Sequence, residues 1–97
     1  MQEQNVIFTW RETKRQTNLK KHGLDFADAE KVFARDTFTR PDNRFDYGER
    51  RFNTIGILET TVVVISHTET EEAIHVISMR KAERYEREHY FANLNLG

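Results

Sequence analysis

The sequence predicts an α+β domain: a mostly antiparallel sheet with two short helices ahead of it and a third behind it. Three observations carry this. β-Branched residues crowd into the second half of the chain, helical spacing occupies 11–35 and again 81–94, and only Glu59-Thr60 separates the two strongest strand signals. A two-residue link between such runs is the mark of an antiparallel hairpin. At 97 residues the chain has the length of one domain, 1–97, able to bury a modest core without covalent staples.

In chain order, Val6-Ile-Phe-Thr-Trp10 reads as a first strand and 11–22 as a helix, with Trp10, Leu19 and His22 as its inward contacts. Gly23 follows Lys20 and Lys21, where a helix ends in the left-handed conformation with cations on its last turn. Asp25 is a good N-cap for a second helix over 26–35, which sets Phe26, Ala29, Val32 and Phe33 on one face. Residues 36–40 suggest an edge strand, and Pro41 opens a polar loop to Glu49. The hairpin is 51–58 and 61–67, 68–72 is the next turn, and 73–79 pairs back. A last helix over 81–94 would turn Ala82, Tyr85, His89 and Ala92 inward, with Phe91 and Leu94 on the flank. The order is β-α-α-β-β-β-β-α, with helices expected on one side of the sheet and the other face open. Arg80 and Lys81 would then lie on the rim, where the last strand leaves the sheet.

Composition excludes several classes. Without cysteine there is no disulfide and no thiolate chemistry. The first ten residues, MQEQNVIFTW, lack the basic and apolar parts of a signal peptide, and no apolar run approaches the length of a membrane span. A cytoplasmic setting is expected, with no membrane partner. Charge is abundant but balanced, 15 Lys+Arg against 16 Asp+Glu. The distribution is uneven: residues 11–22 carry Arg11, Lys14, Arg15, Lys20 and Lys21 against Glu12 alone. Screening confines charges to local action, so such a face can hold a phosphate backbone on a neutral protein, or can be a solvated helix face.

Phosphate-cradling glycine loops and nucleophile elbows are missing, and His22, His67, His75 and His89 lack metal-ligand spacing. What remains is cations beside groups able to move protons. Arg44, Glu49, Arg50 and Arg51 cluster before the hairpin; Arg80, Lys81 and Arg84 cluster after the last strand. Cleaving RNA through its own 2′-hydroxyl needs a base for that hydroxyl, cations for the phosphorane and an acid for the leaving oxygen. Arginine suits the middle role, because its planar fork meets two phosphate oxygens and never deprotonates. Each group also has a structural reading. Arg84 and Glu88 have the spacing of an exposed ion pair. His67 can cap the core edge, His75 can face away from Ile74 and Val76, and His89 reads as a half-buried helix residue.

An ordered series of short motifs resembles the BrnT family of ribonuclease toxins: Lys21-His22-Gly23, Tyr47-Gly48-Glu49 with Arg51, and Ile77-Ser78 with Arg80-Lys81-Ala82. Phe8-Thr-Trp10, Asp42, Arg44, Glu86-Arg87 and Tyr90 extend it over about 8 to 90. The resemblance implies a RelE-like α+β fold and endoribonuclease action that inhibits translation, with no cofactor. It also implies neutralisation by a ribbon-helix-helix, BrnA-like antitoxin, with operator DNA bound only through that complex; two-fold pairing of toxins within such an assembly is expected on symmetry grounds. Carried onto this chain, it implies Arg80 and Arg51 on the scissile phosphate and Glu49 or His22 as proton carrier. Lys21, Arg44 and Lys81 would contact RNA phosphates; this chain's own pattern adds Arg84 as a further phosphate contact and His67 as an added or substitute donor. The chain departs from the family pattern at Met79, where a small residue is usual, and at His67, where an aromatic is often found. The competing reading is a non-catalytic module that binds the antitoxin and acts as co-repressor.

Overall fold

The structure is a computed structural model that describes residues 6–44 and 46–94. Residues 1–5, half of the segment read for a leader, and Phe45 of the polar loop lie outside the described residues. The elements are β1 (Ile7–Thr9), α1 (Glu12–His22), a 3-10 turn (Phe26–Asp28), α2 (Ala29–Phe33), β2 (Phe38–Pro41), β3 (Phe52–Leu58), β4 (Thr61–Glu69), β5 (Ala73–Lys81) and α3 (Arg84–Leu94). They form one five-stranded sheet in the order β1-β5-β4-β3-β2. Only β1 runs parallel to its neighbour, Phe8 facing Ile74 across the β1–β5 ladder; the other three pairings are antiparallel.

The local signals act as their chemistry requires. Gly23 takes φ 71° and its N–H donates to the Leu19 carbonyl, closing α1. The Asp25 carboxylate accepts from the Ala27 N–H at 2.9 Å. The second helix is shorter than its pattern: the 3-10 turn takes its first residues, and α2 ends at Phe33. The hairpin turns at Glu59-Thr60 with Glu59 at φ 57°, one of the left-handed dihedrals that two-residue hairpin turns use.

Helices cover both faces of the sheet, which corrects the one-sided arrangement. Val63, Ile65, Val76 and Met79 pack under Leu24, Phe26, Ala29 and Val32. Val62, Val64 and Ile55 pack with Ala82 and Tyr90 on the opposite face. Successive strand residues alternate faces, so β4, apolar at every position from Val62 to Ile65, feeds two cores at once.

Two inward sets also differ from their periodicity. In α1 the buried residue is Asn18, not Leu19, which is 39% exposed. The Asn18 amide donates to the carbonyls of Leu24 and Met79 and accepts from the Met79 N–H, at 3.0–3.1 Å, tying α1 to β5 with every polar atom satisfied. On the other face, α3 starts three residues later than its pattern. Its inward stripe is Glu86, Tyr90 and Leu94, continuing at four-residue spacing from the buried Ala82 that precedes the helix, while Tyr85, His89 and Ala92 are exposed.

Gly56 sits where α2 crosses β3. A Cβ there would lie 2.6 Å from Val32 Cγ1 and 3.0 Å from Thr37 Cγ2. Gly56→Ala is therefore expected to cost about 1–3 kcal/mol through overpacking, read as a lowered urea midpoint. An unchanged midpoint would show that α2 can lift off β3 at no cost.

Candidate active site

The face of the sheet under α3 carries a polar row beside an apolar one. The register aligns Ser78, Ser66, Asn53 and Arg40 across β5, β4, β3 and β2, and beside them Arg80, Val64, Ile55 and Phe38. α3 covers the apolar end through Tyr90 and Leu94, leaving a cleft of about 510 Å³ over the rest. Its polar lining includes Arg40, Arg44, Asn53, Arg80, Glu86 and His89. Next to the lining Asn53, the Ser66 hydroxyl donates to its Oδ1 at 2.7 Å.

Arg80 lies inside β5, opposite Val64, because the strand continues through Lys81 where the rim reading ended it at Met79. Its side chain, 39% exposed, donates from Nη1 and Nη2 to the two Glu86 oxygens, each at 2.9 Å. The Glu86 carboxylate also accepts from the Glu83 N–H at 2.7 Å, so one acid caps the start of α3 and orients the arginine. The shared fork raises the pKa of Arg80 and lowers that of Glu86. Alternation then sends Lys81, opposite Val63, to the other face of the sheet, and the adjacent cations are divided between the two sides.

The loop after β2 supplies Arg44 to the cleft mouth. Its Nε and Nη2 donate to Asp42 at 2.9 and 3.0 Å, and these bonds hold the buried Asp42 carboxyl well below the usual range. Tyr47 Oη donates to the same carboxylate at 3.4 Å. Arg51 stacks on the Tyr47 ring, 4.0 Å from its centroid, and donates to Glu49 at 3.0 Å. Arg51 and Glu49 thus stand behind the cleft rather than lining it.

The other sequence candidates are placed elsewhere. Lys21 and His22 end α1, which packs on the opposite face, and neither lines the cleft. Arg84 is 83% exposed and paired with Glu88 at 3.1 Å, the ion-pair reading of its spacing. His67 is fully buried on the far face, between Phe33 and Phe52 at centroid distances of 5.3 and 5.9 Å. Its Nε2 lies 2.7 Å from the Thr54 hydroxyl. Burial pushes its pKa down to about 4, only partly opposed by the Thr68 backbone. Glu69, 3.4 Å from Nδ1 but 40% exposed, is too solvated to reverse this. A ring so enclosed cannot reach a substrate in the cleft.

Sequence reasoning passed over three residues that line the cleft: Arg40, Glu86 and His89. Arg40 Nη2 donates to His89 Nε2 at 2.9 Å, joining β2 to α3 across the opening. The available signal was the four-residue stripe through Ala82, Glu86 and Tyr90, which puts His89 beside the inward face rather than on it. Among the described residues, no group of three or more His, Cys, Asp or Glu could hold a metal ion, and no helix is long and apolar enough to cross a membrane.

A family model described as "Ribonuclease toxin, BrnT, of type II toxin-antitoxin system" matches residues 10–86. Among solved structures, the chain is similar to the Brucella abortus ribonuclease toxin BrnT, at 32% identity and a TM-score of 0.60, over 81% of this chain and 99% of that one. No curated protein matches. The α+β fold is that of an endoribonuclease toxin of a type II toxin–antitoxin system. Within that class, the chain belongs to the BrnT family.

Proposed function

We propose that this chain cleaves RNA by attack of the RNA's own 2′-hydroxyl, without a metal ion, and so inhibits translation in the cytoplasm. The observation that carries the reading is the meeting of Arg40, Arg44 and Arg80 around one cleft of about 510 Å³, a volume typical of small-ligand sites and enough for a nucleotide. Arg80 takes the scissile phosphate, since its Nη groups are fixed by Glu86 while Nε has no acceptor among the described residues. Arg44 and Arg40 take flanking phosphates. Arg51 supports the mouth through Tyr47. The Arg80 guanidinium, fixed by Glu86, stabilises phosphorane charge without reorganising, the role a metal ion plays in other nucleases.

Membership of a type II toxin family supports an antitoxin partner. We place in that role a ribbon-helix-helix, BrnA-like protein that reaches operator DNA only in complex with the toxin. The deciding experiment for the catalytic reading is incubation of the purified chain with RNA in excess chelator. Fragments ending in 2′,3′-cyclic phosphate are expected. Intact RNA would favour the antitoxin-binding, co-repressor reading.

A further inference from the structure

We propose that His89 is the proton acceptor of this cleft, taking the 2′-hydroxyl proton at Nε2 as the 2′-oxygen attacks phosphorus. The inference rests on the RNA-cleavage reading and adds to it the base which the arginines cannot provide. His89 lies three residues beyond the span matched by the family model, on the exposed side of α3 where that helix borders the cleft.

Three observations lead to it. First, arginine can only donate hydrogen bonds, so the 2.9 Å contact from Arg40 Nη2 makes Nε2 the acceptor. In this state the Nε2 lone pair is engaged by Arg40, with the Asn93 amide nitrogen 3.2 Å from the same atom, and the neutral ring carries its proton on Nδ1. Second, the carboxylates of the cleft are held in two-pronged ion pairs, stronger than the single Arg40 contact to the neutral imidazole. Glu86 is held by both Nη groups of Arg80, and Asp42 by Arg44 and Tyr47. Third, Arg40 links the base to the substrate. A phosphate oxygen is a stronger acceptor for a guanidinium than an imidazole nitrogen. An incoming phosphate therefore draws the Arg40 N–H to itself and uncovers Nε2 beside it. The Phe38 ring, 6.2 Å from the imidazole between centroids, and the Asn93 amide, which donates to the His89 carbonyl at 2.8 Å, flank this position.

The step balances within the RNA and the histidine. Nε2 takes the 2′-hydroxyl proton, the 2′-oxygen–phosphorus bond forms, and the phosphorus–5′-oxygen bond breaks. The leaving 5′-oxygen takes a proton from water, and His89 returns its own to solvent. One product ends in a 2′,3′-cyclic phosphate and the other in a 5′-hydroxyl. The charged and titratable groups facing the cleft are Arg40 from β2, Asp42 and Arg44 from the loop, Arg80 from β5, and Tyr85 and Glu86 from α3.

The test compares wild type, His89→Gln and His89→Ala on RNA in chelator from pH 5 to 9. Glutamine retains an acceptor for Arg40 but cannot carry the proton, so it separates chemistry from positioning. His89→Gln is expected to lower kcat about 10²-fold or more with KM unchanged, and to lose the acidic limb of the wild-type pH profile. Added imidazole should restore part of the His89→Ala rate. If wild type cuts while His89→Gln matches its rate and pH profile, the base is elsewhere and the RNA-cleavage reading stands. If wild type leaves RNA intact, both fall together.

Discussion

Replacing Arg80 with alanine is expected to lower RNA cleavage about 10²–10³-fold, the usual loss when one preorganised donor to developing charge is removed. The same change should relieve growth arrest when the chain is induced in cells. The substitution also leaves Glu86, only 12% exposed, with the Glu83 N–H but without its counter-charge, and a largely buried carboxylate that loses its cation destabilises a fold. Loss of activity alone would therefore not separate chemistry from folding. Arg80→Ala/Glu86→Gln removes both charges and should recover thermal stability while leaving cleavage low. Arg80→Lys preserves the charge but not the two-pronged geometry, and should fall between the single variant and wild type. If the double variant is stable and cuts at the wild-type rate, Arg80 is no more than a partner for the α3 cap.

The elements and their order along the chain were legible because their signals are local, whereas the parallel pairing of β1 with β5 was not. The β-branched runs, the two-residue link, Gly23 and Asp25 each dictate a backbone conformation within a few residues of themselves, and the structure places all of them where their chemistry predicts. Face assignment was less legible. Val62-Val63-Val64-Ile65 has no alternation to read, so nothing in β4 showed that both of its faces were covered. The last helix was misread because its inward stripe includes a carboxylate. Glu86 turns inward on account of Arg80, six residues earlier on another element, and a hydrophobic-periodicity argument counts it as solvent-facing.

The same limit governed the site. Arg80 was recognisable as a cation that the core could not use, but the extension of β5 by two residues decides which face it serves. That extension separates Arg80 from Lys81, which looked like a pair in sequence. Arg44 joins Arg80 through a loop closed by the Asp42 N–H to Arg51 carbonyl bond at 2.8 Å, a contact across nine positions. Arg40 and His89, 49 residues apart, meet only because α3 folds back over β2. No local pattern encodes such a meeting. His67 shows the opposite case: its strand-end position suggested access, but alternation along β4 sets it on the face of Val63 and Ile65, opposite Val76 across the ladder.

That burial makes His67 the source of the largest expected pH effect on stability. In the unfolded chain the imidazole titrates near its ordinary value, 6.5, whereas in the fold burial lowers it to about 4. Between these values the unfolded state binds more protons than the folded one, so stability falls as the pH falls through that window, and the loss is complete below about pH 4. At 1.36 kcal/mol per pH unit, the full loss is about 3 kcal/mol. His67→Phe retains the ring contacts with Phe33 and Phe52, and the Thr54 hydroxyl still has Thr39 at 2.6 Å. Urea midpoints for the two proteins should lie close together at pH 7.5 and separate by pH 4.5, with wild type the less stable. Carboxylates such as Asp42 and Glu86 also contribute acid sensitivity, but they are common to both proteins and cancel in the difference. Parallel midpoint curves across that range would mean that the buried imidazole accepts a proton without leaving the core, with Glu69 closing on Nδ1 to receive it.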